Sequence, residues 1–237
     1  STPKPSSAAS DVYKRQHIVC VVVFIIISSK IEIFTSCEKG EECNNTFSVL
    51  KNPLVLILSL AIFFYVGAEI STTNWTGTFL ENYYGITKAD VPGILSSFWI
   101  LFTLGRVVGD KFLEKVGQLK FLSISPIISV IGILIILSGN TKTQALIGIA
   151  VMGLSMSLIY PALQGYIIQH VQKQYVPAAS AIVTIFNNLG ATFLTYGIGF
   201  AGGIKVSYVF IIQIFFYAYI LIVSMHYLVS KTKRQLN

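Results

Sequence analysis

The sequence predicts an all-α integral membrane protein: a six-helix transmembrane bundle plus a truncated extra helix at the N-terminus. Three observations predict it. The chain of 237 residues is 54% hydrophobic and only 11% charged, whereas a soluble domain carries roughly 25% charged residues. Its apolar residues fall into runs that reach the ~20 residues a helix needs to cross a bilayer at ~1.5 Å of rise per residue. Its cations lie between those runs and form no basic stripe interleaved with aromatics, so the net charge of +7 reads as membrane topology and excludes a nucleic-acid surface.

Taken in order, residues 1–16 are polar and rich in Ser and Pro, with no periodicity that would bury a face, and are expected to be disordered. Their part from Ala8 to Gln16 resembles adapter-derived peptide found at the ends of translated environmental fragments, so 1–16 is treated as artefactual and left out of the fold. Residues 17–29, HIVCVVVFIIISS, are apolar but shorter than a span, which fits a truncated transmembrane helix or the apolar core of a signal peptide behind Lys14 and Arg15. Residues 30–52 form the longest polar stretch inside the chain and are expected to be a loop. Six membrane-length runs follow, at about 53–80, 91–109, 119–138, 144–168, 178–201 and 206–229, within a bundle at 53–229 and before a tail at 230–237. Pro53, Pro92 and Pro177 lie near helix starts, where a missing N–H costs little. Pro126 and Pro161 fall inside runs and predict kinks. Cys20, Cys37 and Cys43 are too few and too irregularly spaced for a disulfide framework or a zinc site, and read as plain thiols.

Counting Lys and Arg in alternate connections gives the orientation. One side carries Arg106, Lys111, Lys115, Lys120, Lys173, Lys231, Lys233 and Arg234; the other has Lys88, Lys142 and Lys205. The first side is therefore expected to be cytoplasmic, with the 30–52 loop and the C-terminus on it, in a multi-pass protein of the cell membrane. A signal peptide would leave 30–52 outside, so the truncated-helix reading is preferred. The same topology makes the sequons at Asn44 and Asn74 chance matches.

Candidate binding residues are polar groups inside the runs. Glu69 is the acidic residue well inside a span, and burying a carboxylate there costs about 2.5 kcal/mol or more, so it needs a partner or a wet cavity. It lies ~24 Å along its helix from Pro53, in the outer third of the bilayer. It would bind a substrate hydroxyl or couple a cation, or else hydrogen-bond a neighbouring helix. Asn74 and Trp75 follow; Trp75 suits a stacking platform in a cavity or an interfacial anchor. Asn187 and Asn188 sit near the middle of the fifth run, where adjacent residues point about 100° apart, so at most one faces a cavity squarely and the other bonds between helices. Tyr160 and Gln164 share a helix face as i and i+4, lining a cavity or joining helices. Gly148, Gly153 and Ser157 read as close-packing positions. Gly67-x-Glu69-x-Ser71 and Gly153-x-Ser155-x-Ser157 occupy corresponding places in the two triplets of runs, a faint internal echo.

The stretch Phe98–Gly117, FWILFTLGRVVGDKFLEKVG, ends an apolar run in glycines and charges. It resembles the loop motif of the major facilitator superfamily of transporters, roughly G-x-x-x-D-R/K-x-G-R-K, in the degenerate form found between the eighth and ninth spans. Asp110, Lys111 and Lys115 match it; Arg106, Leu113 and Glu114 stand where the full motif has Gly, Gly and Arg. The resemblance implies the C-terminal half of such a transporter, with 30–52 as the cytoplasmic inter-half loop and a missing N-terminal six-helix half as partner. It implies alternating access, with Arg106, Asp110, Lys111 and Lys115 as a conformational latch. Tyr65-x-Gly67-Ala68-Glu69-x-Ser71 followed by Trp75 is similar to the seventh span of the fucose-permease-like branch. That implies a small polar solute such as a sugar, coupled to H+ or Na+.

Chemistry of other kinds finds no residues. His17, His170 and His226 have no acid, Ser or Cys at helical spacing, and the chain lacks a phosphate-binding G-x-x-x-x-G-K-S/T loop. No catalytic set, metal site or cofactor is expected. The competing readings are a polytopic receptor, whose N-terminus would be expected outside, and a membrane-embedded enzyme, which would need paired His and acid residues at one membrane face.

Overall fold

In hydrocarbon every backbone N–H and C=O must find a partner within the protein, which makes a helix of each long apolar run. The computed structural model describes residues 49–139 and 141–236, without the side chains of Asp110 and of residues 233–236; all belong to the second of the chain's two units, residues 45–237. The assignments made for 1–16, for 17–29, for 30–48 and for the three cysteines lie outside the described residues, as do those resting on the side chains of Asp110, Lys233 and Arg234.

Among the described residues, six helical spans are long and apolar enough to cross a membrane. The first is α1 (Pro53–Tyr84), the second lies in α2 (Val91–Val116) and the third is α3 (Gln118–Ser138). The fourth is broken into α4 (Lys142–Met156) and α5 (Ile159–His170). The fifth joins a 3-10 turn (Lys173–Tyr175), α6 (Val176–Leu189), a π turn (Gly190–Leu194) and α7 (Thr195–Ile204). The sixth lies in α8 (Ser207–Leu236), which runs on through the residues expected as a tail.

Two boundaries differ from the sequence expectation in ways that matter. Helix α1 continues to Tyr84, where Gly85 takes a left-handed conformation (φ 61°) and its N–H bonds Leu80 O. Glu69 lies about midway along the longer helix. Helix α2 continues to Val116 and stops at Gly117, whose φ is 85°. No Gly or Pro interrupts residues 110–116, so Lys111, Glu114 and Lys115 ride on the last turns of a helix and not on a turn between helices.

The first and fourth spans are the most enclosed, with 56% and 61% of their apolar stretch buried against 17% and 22% for the second and fifth. Lipid supplies no hydrophobic drive between helices, so close packing and interhelical hydrogen bonds do the joining. A Cβ on Gly67 would lie 2.6 Å from Leu194 of the fifth span, and one on Gly153 would lie 3.0 Å from Phe98 Cα of the second. Thr72 Oγ1 donates to Gln213 Oε1 at 3.1 Å, tying the first span to the sixth. Tyr84 OH donates to Ile136 O at 2.6 Å, tying it to the third. At the same end, Thr87 and Lys142 both hydrogen-bond Asp90 Oδ2, at 2.9 Å and 3.2 Å. These contacts hold the Asp90 carboxyl below its usual range, the Thr87 bond contributing most.

Candidate substrate cavity at the broken span

Pro161 sets the geometry of the site. It has no N–H to offer the carbonyl of Ser157, four residues earlier, and the fourth span breaks there. A helix end inside a membrane leaves carbonyls that water cannot satisfy. Here each is met. Leu154 O accepts from the N–H and Oγ of Ser157, at 3.4 Å and 2.7 Å. Ser155 O accepts from Ser125 Oγ of the third span at 2.5 Å. Met156 O accepts from Tyr65 OH of the first span at 2.9 Å. Ser157 O accepts from Arg106 Nε of the second span at 3.3 Å. The break is thereby a junction where three other spans place a donor each.

Arg106 reaches Ser157 because Gly105 lets the two spans meet: a Cβ there would collide with the Ser157 side chain. Its guanidinium also lies 4.2 Å from the centre of the Phe102 ring, which shields one face. Arg106, expected in a latch with Asp110, Lys111 and Lys115, also lines a cavity. Lys111 and Lys115 are exposed on α2.

That cavity, of about 520 Å3, gathers Glu69, Arg106, Tyr160, Gln164 and Asn187 from four spans. Such a volume suits a small molecule. Glu69 is half-buried at its wall, and the Tyr65 and Tyr160 rings lie 6.5 Å apart beside it. A carboxylate, a guanidinium, a phenol and two amides offer donors and acceptors in several directions, the complement of a polyhydroxylated solute. No group of three or more His, Cys, Asp or Glu that would hold a metal ion occurs among the described residues.

Of the paired asparagines, Asn187 lines the cavity and Asn188 is exposed. The π turn begins at Gly190, three residues after Asn187, and Ala191, one turn on from Asn187, lines the same cavity. Asn74 is exposed, and Trp75 is half-buried against the fifth span, where a Cβ on Gly202 would lie 2.9 Å from its indole. Neither lines the cavity. Sequence reasoning missed the capping roles of Tyr65, Ser125 and Arg106. The available signal was Pro161, which requires a donor for the carbonyl of Ser157.

A family model described as Major Facilitator Superfamily matches residues 35–237. An uncharacterized MFS-type transporter of Yersinia pestis is 27% identical over 146 residues, which are 62% of this chain and 37% of the relative. A glucose/galactose transporter of Brucella abortus is 26% identical over 164 residues, 68% of this chain and 39% of the relative. The human sodium-dependent glucose transporter 1 is 28% identical over 136 residues, 56% of this chain and 26% of the relative. The matches thus span under two fifths of the length of these relatives.

Proposed function

Since the chain belongs to the Major Facilitator Superfamily, we propose that the protein containing it is a secondary active transporter that moves a small polar solute, a sugar, by alternating access. The observation that carries this reading is the single cavity joining Glu69 and Arg106 to Tyr160, Gln164 and Asn187. Hydroxyl groups of the solute donate to the Glu69 carboxylate and accept from Arg106 and the amides. The fourth span, broken beside the cavity, changes its packing as access alternates. The printed names of two relatives, a glucose/galactose transporter and a sodium-dependent glucose transporter, favour a hexose, with H+ or Na+ as the coupling ion. The sparsely covered second and fifth spans receive a second six-helix bundle, and the basic end faces the cytoplasm.

Uptake of radiolabelled D-glucose and D-galactose by cells making the full-length protein tests the reading, with an imposed Na+ or pH gradient to identify the ion. Glu69→Gln is expected to lower uptake by about tenfold or more, the scale of losing one charge-assisted hydrogen bond. Asn188→Ala should leave it near the parent value. Equal uptake by Glu69→Gln and the parent would remove Glu69 from the binding site, and no hexose uptake by the parent would remove the sugar.

A further inference from the structure

A second cavity, of about 760 Å3, opens at the basic end between α2, α3, α5 and α8. It takes no part in the solute site; Pro161 is the one residue that lines both. Two lysines from different spans line it, Lys120 of α3 and Lys231 of α8, together with Gln118 and Gln169. Both lysines are exposed. Among the described residues, neither makes an ion pair; the one such pair is Lys142–Asp90. Glu114 is the carboxylate among the lining residues, so the crevice keeps a net positive charge.

The backbone adds N–H donors. Helix α3 starts in this crevice at Gly117 and Gln118. Gly117 has no side chain to cap the first turn, and that turn carries no acidic residue. Such a helix start offers free N–H groups to an anion, while the carbonyl end of α2 beside it offsets the helix dipole. Leu113, Leu119 and Leu228 supply an apolar part of the wall. Positive charge, amide donors and apolar wall together, at the end of a transmembrane bundle, match the phosphate of a phospholipid headgroup and the start of its chains.

We propose that this crevice binds a phosphate group, carried by an anionic phospholipid of the adjoining leaflet or free in solution, with Lys120 and Lys231 as its main ligands. The purified full-length protein, in detergent, is titrated with phosphatidylglycerol, with phosphatidylcholine of the same chains, and with inorganic phosphate, and occupancy is read by native mass spectrometry. Phosphatidylglycerol is expected to bind more tightly than phosphatidylcholine. The double variant Lys120→Gln/Lys231→Gln should weaken it roughly tenfold or more, as expected for losing charge-assisted contacts to phosphate. Glu114→Gln should tighten it, and Lys173→Gln, exposed in the fourth-to-fifth connection, should leave it unchanged. If inorganic phosphate binds with the same dependence on the two lysines and the lipid does not, the site stands with a soluble phosphate as its ligand. Three results would overturn it: phosphatidylcholine and phosphatidylglycerol bind equally, Lys173→Gln weakens binding as much as the double variant, or Glu114→Gln weakens it.

Discussion

Tyr65 and Arg106 act alike although one is neutral and the other charged: each carries a donor to a carbonyl that its own helix has released. Tyr65 is fully buried, and its hydroxyl meets Met156 O at 2.9 Å. Tyr65→Phe removes that donor and little volume, leaving a buried carbonyl without it. The expected cost is about 1–3 kcal/mol of stability, read as a lower midpoint of thermal unfolding in detergent. An unchanged midpoint would mean that Met156 O finds another donor. Glu69, one turn after Tyr65 on the same helix, has the opposite need, because a carboxylate accepts and must find donors. Facing a cavity meets that need in a way a lipid-facing position would not.

The fourth span shows how one imino acid organises an element. Without Pro161 the ladder between α4 and α5 would close, since residue 161 would donate to Ser157 O and Arg106 would lose its role there. A double-mutant cycle tests this. Arg106→Leu alone should destabilise by about 1–3 kcal/mol, and in a Pro161→Ala background by clearly less, because the backbone then supplies the missing donor. Full additivity of the two changes would show that they act at separate places. Pro126 has a different effect: α3 continues through it from Gln118 to Ser138 without a break. Whether a proline bends or interrupts a helix depends on which neighbours can take over the freed carbonyl, and that is a property of the bundle.

Across the molecule the two triplets of spans pack in corresponding ways. Gly67 of the first span receives Leu194 of the fifth, and Gly153 of the fourth receives Phe98 of the second. The faint sequence echo between Gly67-x-Glu69-x-Ser71 and Gly153-x-Ser155-x-Ser157 thus has a counterpart in packing: each glycine marks where the next triplet's second span, or the preceding one's, comes close. The latch proposal also belongs to the whole protein. Asp110 lies within the last two turns of α2, from where a carboxylate can pair with a cation or with another helix's N-terminus and so stabilise one conformational state. Asp110→Asn in the full-length protein should lower uptake by about tenfold, within the usual range of conformational coupling, while membrane insertion is unchanged. Wild-type uptake would remove the latch.

The number of spans and their approximate limits were legible from residue order, because in a bilayer an apolar run of sufficient length has no lower-energy alternative to a helix. Helical geometry likewise separates Asn187 from Asn188, but which of the two lines the cavity was not legible, and Asn188, expected to bond between helices, is exposed. Residue order did not show that Arg106 joins the cavity lined by Glu69, because it is read along α2 as the cation that ends a span. Its direction is set by a carbonyl 51 residues later and by how closely Gly105 lets that helix approach. Trp75 likewise reads as an anchor or a platform until the glycine face of the fifth span is placed against it. Backbone pairing in hydrocarbon is a local demand and can be read locally, whereas satisfying the carbonyls at a broken helix requires donors from elsewhere in the chain, and packing of the helices determines which donors arrive.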